Sequence, residues 1–402
     1  MKLFENEKKM QKWLECELKN REGLGDLIDG IDTVPKSISS RSSEKINGVY
    51  HYCLRALHML EVIAANENIA LGKKDSLKPD ILAYAPETQS IVIIELKNIS
   101  GPTREAGTEL SAYCAEINNY LPFISDADIV NIIISNEWPT LLRKHAVQDI
   151  LWRGRKLLCL RPYRNQSEIR LKAVPPEELG CAEVDLKLNP QHLGGYQLCL
   201  YDYGRGSDRL DQNLPQMRTA LSAMAAKGNL AGNHGFAFLW KDLWKDSCAP
   251  YSITILNVAA FNQLDRFLID LHEGEELSGM KDRFLRLVAD YSPEGHSWSL
   301  VELTREAERF LKGFCSPKPE GFTTWPGLFK VMSDRAEHVS FAAWGFWGER
   351  HLEMLQKEYN SGQTPFFDSP EFGLRLVSDV IDDSVPYIDL SLYAWDGSED
   401  SI

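Results

Sequence analysis

The chain has 402 residues, 44% hydrophobic and 25% charged, with a net charge of −14. That balance is ordinary for a folded globular protein and excludes an extended disordered chain. It also argues against a uniformly basic, nucleic-acid-coating surface, and the length calls for two domains rather than one core.

Residues 4–19 read as an amphipathic helix, with Phe4, Met10, Trp13, Leu14 and Leu18 near helical spacing. A Ser-rich stretch, Ser37 to Ser43, reads as a loop, and residues 48–65 as a second helix striped by Leu54, Leu57, Leu60 and Ala64. Two strands follow, Ile81 to Tyr84 and Ile91 to Lys97, joined through Ala85-Pro86-Glu87-Thr88-Gln89-Ser90 as a hairpin. Thr103 to Tyr120 is predicted helical. Ile129 to Ile134 is an apolar run suited to a strand buried on both faces. A helix over Thr140 to Trp152 and a short strand, Leu157 to Leu160, complete an α/β arrangement. Pro162, Pro175-Pro176, Pro190 and Gly194-Gly195 punctuate a boundary between about 162 and 195. Beyond it, strands are expected at Tyr196–Tyr203, Phe236–Trp240 and Tyr251–Val258, with a helix at Gln216–Lys227 ended by Gly228. Later helices are expected at 263–275, 278–289, 300–313 and 349–359. The expected domains are therefore 1–170 and an α+β domain over 190–402.

Charge is unevenly placed. Residues 1–175 carry 24 basic and 23 acidic side chains, and the remainder 20 and 35. The acidic C-terminal half would repel phosphate and suits a protein partner or a homo-oligomer contact. No run of roughly 18 apolar residues exists, so no membrane span is expected. Met1 to Glu7 lacks the apolar region of a secretory signal. The eight cysteines are scattered without a C-x-x-C, which favours a reducing cytoplasm over a disulfide framework or zinc ribbon.

One constellation carries chemistry. Lys78-Pro79-Asp80 opens the first hairpin strand, and Glu95-Leu96-Lys97 ends the second. Side chains alternate along a strand, so Glu95 and Lys97 share a face while Leu96 turns to the core. A hairpin over 80–97 can bring Asp80 beside Glu95. Two adjacent carboxylates resist ionising together unless a cation lies between them. Mg²⁺ (or Mn²⁺) suits such a pair and retains waters that can serve as nucleophile. Lys97 would orient that water or stabilise charge on a phosphate. Other acid-x-lysine triplets, Glu7-Lys8-Lys9, Glu17-Leu18-Lys19 and Asp185-Leu186-Lys187, lack the strand context.

On these residues the chain resembles the PD-(D/E)xK nuclease superfamily over about residues 1–165. Pro79-Asp80 matches the first half of the motif and Glu95-Leu96-Lys97 the second. The resemblance implies a restriction-endonuclease-like mixed sheet flanked by helices, with Asp80 and Glu95 as metal ligands and Lys97 as catalytic lysine. It implies a metal-dependent nuclease, DNA favoured over RNA as partner, in a bacterial defence or mobile-element setting. The alternative is a nuclease-like fold serving as a protein-binding or regulatory subunit. Many members carry a Gln and a Tyr on the helix after the lysine strand; here Glu109 and Tyr113 stand there, Tyr113 reading as core. Many also add a Glu from the helix before the first strand, for which Glu61 and Glu7 are rivals. Lys73, Lys74, Lys78 and Arg104, and a second group of Arg143, Lys144, Arg153, Arg155 and Lys156, could track phosphates. The late aromatics Trp325, Phe329, Phe341, Trp344, Phe346 and Trp347 read as core rather than as base-stacking surface. Neither a P-loop nor a His-based zinc motif is present.

Overall fold

A computed structural model of the chain describes residues 3–30, 41–72, 74–98, 105–180, 187–203, 208–244, 246–277, 279–289 and 298–396. It forms two compact units, Met1–Asp185 and Leu186–Ile402. Each is mixed α/β and is built on its own sheet.

The first unit opens with α1 (Glu7–Asn20). The Asn6 side chain caps it by accepting the Lys9 N–H at 2.9 Å. Met10, Leu14 and Leu18 recur every fourth residue and are buried, while Phe4 packs on Trp13 with ring centroids 5.3 Å apart. Helix α2 (Arg41–Arg55) stops ten residues before the predicted end. The missing stretch holds strand β1 (Glu61–Ala65). The Leu54, Leu57 and Leu60 stripe continues past the helix because Leu57 and Leu60 are buried from the connecting turn. The predicted Ser37–Ser43 loop falls outside the described residues up to 40, and 41–43 open α2.

The sheet runs β1-β2-β3-β4-β5-β6 in chain order. Strands β2 (Ile81–Ala85) and β3 (Ser90–Lys97) form the expected antiparallel hairpin, closed by the pair Ala85 and Ser90. Gln89 takes a positive φ of 53° in its loop. After α3 (Glu105–Tyr120), β4 (Ile129–Ser135) returns parallel to β3, and all seven of its residues are buried. A strand flanked on both faces has no solvent side, so its sequence is a continuous apolar run. Helix α4 (Thr140–Val147) passes through a π-turn at Gln148–Trp152 into β5 (Lys156–Asn165), parallel to β4. β5 does not stop at Leu160. It continues through Pro162 and pairs antiparallel with β6 (Glu168–Ala173). Its pairing with β4 ends at Leu160, so Pro162 has no β4 ladder to interrupt. The short helix α5 (Pro176–Leu179) follows.

The second unit has a five-stranded, wholly antiparallel sheet. Its elements are β7 (Leu193–Asp202), α6 (Asp208–Asp211), α7 (Leu214–Leu230), β8 (Gly235–Asp242) and β9 (Tyr251–Val258). Then come α8 (Arg266–Ile269), α9 (Met280–Val288), α10 (Trp298–Leu311), β10 (Cys315–Thr324) and α11 (Trp325–Arg335). The last are β11 (Ala336–Trp344), α12 (Phe346–Asn360), α13 (Pro370–Val380) and α14 (Ser391–Asp396). The strand order is β10-β7-β9-β8-β11. Alternation along β8 builds two cores. Ala237 and Leu239 face Met217, Leu221, Leu303 and Leu311 of α7 and α10. Phe236, Phe238 and Trp240 face Trp325, Met332, Trp347 and Leu376 of α11, α12 and α13. Four of the six late aromatics, Trp325, Phe341, Trp344 and Trp347, are buried there, so their use is core packing.

Two expectations fail here, and β10, β11, α11 and α13 are unexpected. The helix predicted at 263–275 is only a 3₁₀ turn at Asn262–Asp265 and α8. β10 carries Pro317 and Pro319, which a strand tolerates at a sheet edge. Gly228 does not end α7; it lies inside it, where a Cβ would meet Trp344 Cγ at 2.4 Å.

Candidate functional site

The register of the β2–β3 hairpin builds the site. Ile81 pairs with Ile94, so the preceding residue, Asp80, falls beside Glu95. The Leu96 N–H donates to Asp80 Oδ2 at 2.7 Å, so the carboxylate extends the ladder where the strand ends. Asn66, with φ 52°, turns the chain beyond β1; its N–H reaches the carbonyls of Pro79 and Asp80, each at 3.1 Å. Asn tolerates this left-handed backbone better than most residues. The Tyr113 hydroxyl donates to the Lys78 carbonyl at 3.0 Å and pins the other side of the same turn. Tyr113 is thus buried, as read, but also floors the pocket.

Lys97 follows Glu95 on the same strand face. Its ammonium donates to Glu95 Oε1 and to Glu109 Oε2, both at 2.7 Å. Glu109 and Tyr113 are one turn apart on α3, which places both against the end of β3. Glu7, Lys8 and Gln11 of α1 complete a pocket of about 380 Å³, with Asn66, Lys78, Asp80, Glu95, Lys97, Glu109 and Tyr113 as the remaining lining. Glu7 Oε2 accepts the Asn98 N–H at 3.3 Å, and the Asn98 side chain donates to the Phe4 carbonyl at 3.2 Å. These bonds tie the start of α1 to the end of β3.

Of the two rival acids, Glu7 stands at the pocket. Glu61 does not: it lies on β1, not on a helix, and pairs with Tyr84 at the far end of β2 from Asp80. Among the basic residues, exposed Lys8 and Lys78 line the pocket. Lys73 and Arg104 lie outside the described residues. The second basic group is engaged within the fold. Arg143 and Lys144 donate to the carbonyls of Glu178 and Gly180, and Arg153 and Arg155 pair with buried Asp149. Lys156 lies over the Tyr52 ring. A larger hollow of about 550 Å³ is lined by Lys74, Asp75 and Glu116 among others, and Glu116 is already bonded to the Leu71 N–H and to Asn119. The concentrated chemistry is in the smaller pocket.

Electrostatics there are dominated by burial. Desolvation raises Glu95 from its ordinary 4.5 to about 9, and the Asp80 charge adds to the rise. The neighbouring Lys97 opposes it without cancelling it. Asp80 is raised from 3.8 to about 6, first by desolvation and then by Glu7 and Glu109, against the Leu96 hydrogen bond. Burial pushes Lys97 down, but the Glu95 and Glu109 carboxylates outweigh it and hold the ammonium above its ordinary range.

Glu95 Oε2 is buried and has no hydrogen-bond partner. A buried oxygen without a donor is poorly satisfied, and beside a second carboxylate it fits a hard cation. Among the described residues no three His, Cys, Asp or Glu side chains form a metal-holding group. Mg²⁺ does not need one: it is commonly held by one or two carboxylates, with waters and phosphate oxygens filling the rest. Asp80 and Glu95 fit that pattern. Among the described residues no helix is long and apolar enough to cross a membrane. Compared with family models, curated proteins and solved structures, the chain gives no match.

Sequence reasoning missed Glu109 as the partner of Lys97, and Lys8, Gln11 and Asn66 as lining residues. The signal for Glu109 was available: it stands one turn before Tyr113 on the helix that leaves the lysine strand. No sequence signal marked Gln11 or Asn66.

Proposed function

We propose that the first unit is a metal-dependent nuclease domain of the PD-(D/E)xK kind, acting on nucleic acid with DNA favoured. The observation that carries this reading is the meeting of Asp80, Glu95 and Lys97 in one open pocket, with Glu95 Oε2 buried and unpaired. The mixed sheet with its β2–β3 hairpin, α3 and parallel β4 agrees with the same reading. Asp80 and Glu95 would hold Mg²⁺ or Mn²⁺, which supplies Lewis-acid polarisation and an acidified water. Lys97 stays cationic in its carboxylate surroundings and stabilises charge developing on the phosphate. Lys8 and Lys78, exposed on the rim, are placed to contact flanking phosphates. The second unit would serve substrate selection, assembly or regulation, and its acid excess suits a protein contact.

The test incubates purified protein with supercoiled DNA, linear DNA and RNA in Mg²⁺ or Mn²⁺, beside Lys97→Ala and Asp80→Ala. Metal-dependent cleavage lost in both variants is expected. Cleavage unchanged by both substitutions sinks the reading. Absence of both cleavage and calorimetric metal binding leaves the non-catalytic scaffold as the better account.

A further inference from the structure

The two carboxylates on Lys97 are not equivalent. The Glu95 side chain is 4% exposed and lies beneath the ammonium, while that of Glu109 is 36% exposed and approaches it from α3. Glu95 is fixed by its strand. Glu109 reaches in on a flexible side chain that solvent touches. The Lys97 side chain is itself 6% exposed, so Glu109 is the more solvent-exposed of its two carboxylate partners. An ammonium has three donors and prefers charged oxygen acceptors. Glu95 and Glu109 take two of the three, so a phosphate oxygen that pairs with Lys97 competes with the Glu109 oxygen for the ammonium.

We propose that Glu109 is a positioning residue at the phosphate seat of Lys97: a carboxylate built into the fold that competes with a phosphodiester oxygen for the ammonium. This rests on the nuclease reading for the kind of anion involved, but not on catalysis. The seat selects by charge density and geometry. A lone monoanion gains little by replacing one carboxylate with another. A phosphodiester backbone that also reaches Lys8 and Lys78 gains additional contacts and can move Glu109 aside. Free Glu109 then stays close to the ammonium and returns when the strand leaves.

The test measures binding of a short fluorescein-labelled single-stranded DNA at low salt in EDTA, where no cleavage competes. The variants are Glu109→Gln, Glu109→Asp, Glu7→Gln, Lys97→Ala and the double variant Lys97→Ala/Glu109→Gln, each checked by thermal melting. Glu109→Gln should bind about tenfold more tightly than the parent, the scale of one charge-assisted hydrogen bond. Glu109→Asp, whose shorter side chain withdraws from the ammonium, should gain in the same direction. The gain should exceed that of Glu7→Gln, which removes a pocket charge not bonded to Lys97, and should vanish in the double variant. Equal affinity in Glu109→Gln and parent, a gain that survives loss of Lys97, or no binding by any variant overturns the proposal. A Lys97-dependent gain without metal-dependent cleavage by the parent keeps this inference and removes the nuclease reading. Cleavage without the gain does the reverse.

Discussion

At the residue scale, the pocket holds charge at a cost to folding. Glu95 holds its proton more tightly when folded, at about 9 against an ordinary 4.5. Its effect on stability therefore has the opposite sign from that of a surface carboxylate in an ion pair. The folded state is least penalised below about 4.5 and loses stability progressively as pH rises towards 9. Asp80 acts in the same direction over the narrower window from 3.8 to about 6. Glu95→Gln should remove most of this dependence. In EDTA it should be more stable than the parent at pH 8, the gap closing towards pH 4.5. Urea midpoints across that range measure it, and a gap that widens as pH falls contradicts the assignment. Lys97→Ala is expected to lower cleavage by roughly 10²–10³-fold, the usual loss on removing one charge-stabilising donor, with kcat falling more than KM changes. Asp80→Asn keeps an oxygen for the Leu96 N–H bond. In EDTA at about pH 7 its melting temperature should be no lower than the parent's, while Mg²⁺ binding weakens by calorimetry.

At the element scale, glycine shows how a local rule yields to packing. Gly48 lies exposed in α2 and a Cβ there meets nothing within 4 Å, whereas the same atom at Gly228 in α7 would strike the Trp344 ring. Gly48→Ala should stabilise by about 0.5–1 kcal/mol through helix propensity. Gly228→Ala gains the same propensity but overpacks the core, which costs roughly 1–3 kcal/mol. Its net effect should be destabilising, and denaturant midpoints of the two variants should move in opposite directions. The same competition explains what was hard to read in the chain. The β2–β3 hairpin and β4 were legible because their patterns are strong: an apolar pair of runs around a Pro-containing loop, and a run apolar throughout. β1 was not, because Leu57, Leu60 and Ala64 continue a helical stripe by coincidence while being buried from a turn and a strand. β10 was hidden by Pro317 and Pro319, whose missing N–H groups matter little at an edge.

At the scale of the whole molecule, the chain divides at Asp185 and Leu186 into units with separate sheets and separate cores. Residues 1–185 contain every lining residue of the pocket. Expressed alone, they should fold cooperatively and retain metal binding, read by a single denaturation transition and by calorimetry. If this segment fails to fold, or loses metal binding that the full chain shows, the second unit contributes to the site.

The sequence alone determined the chemistry on offer: an Asp at the start of one strand, and a Glu and a Lys on one face at the end of the next. Alternation along a strand is local, so Glu95 and Lys97 could be paired without knowing the fold. The hairpin itself is short-range and placed Asp80 with them. Only the tertiary structure decided the rest. Whether Glu7 or Glu61 stands near the pair depends on how α1 and β1 lie against the sheet, which no local pattern encodes. Glu109 becomes the partner of Lys97 because α3 packs back over β3, and Glu95 loses its solvent because the surrounding elements close over it. Long-range packing sets those distances and that burial, and with them the charge state of the site.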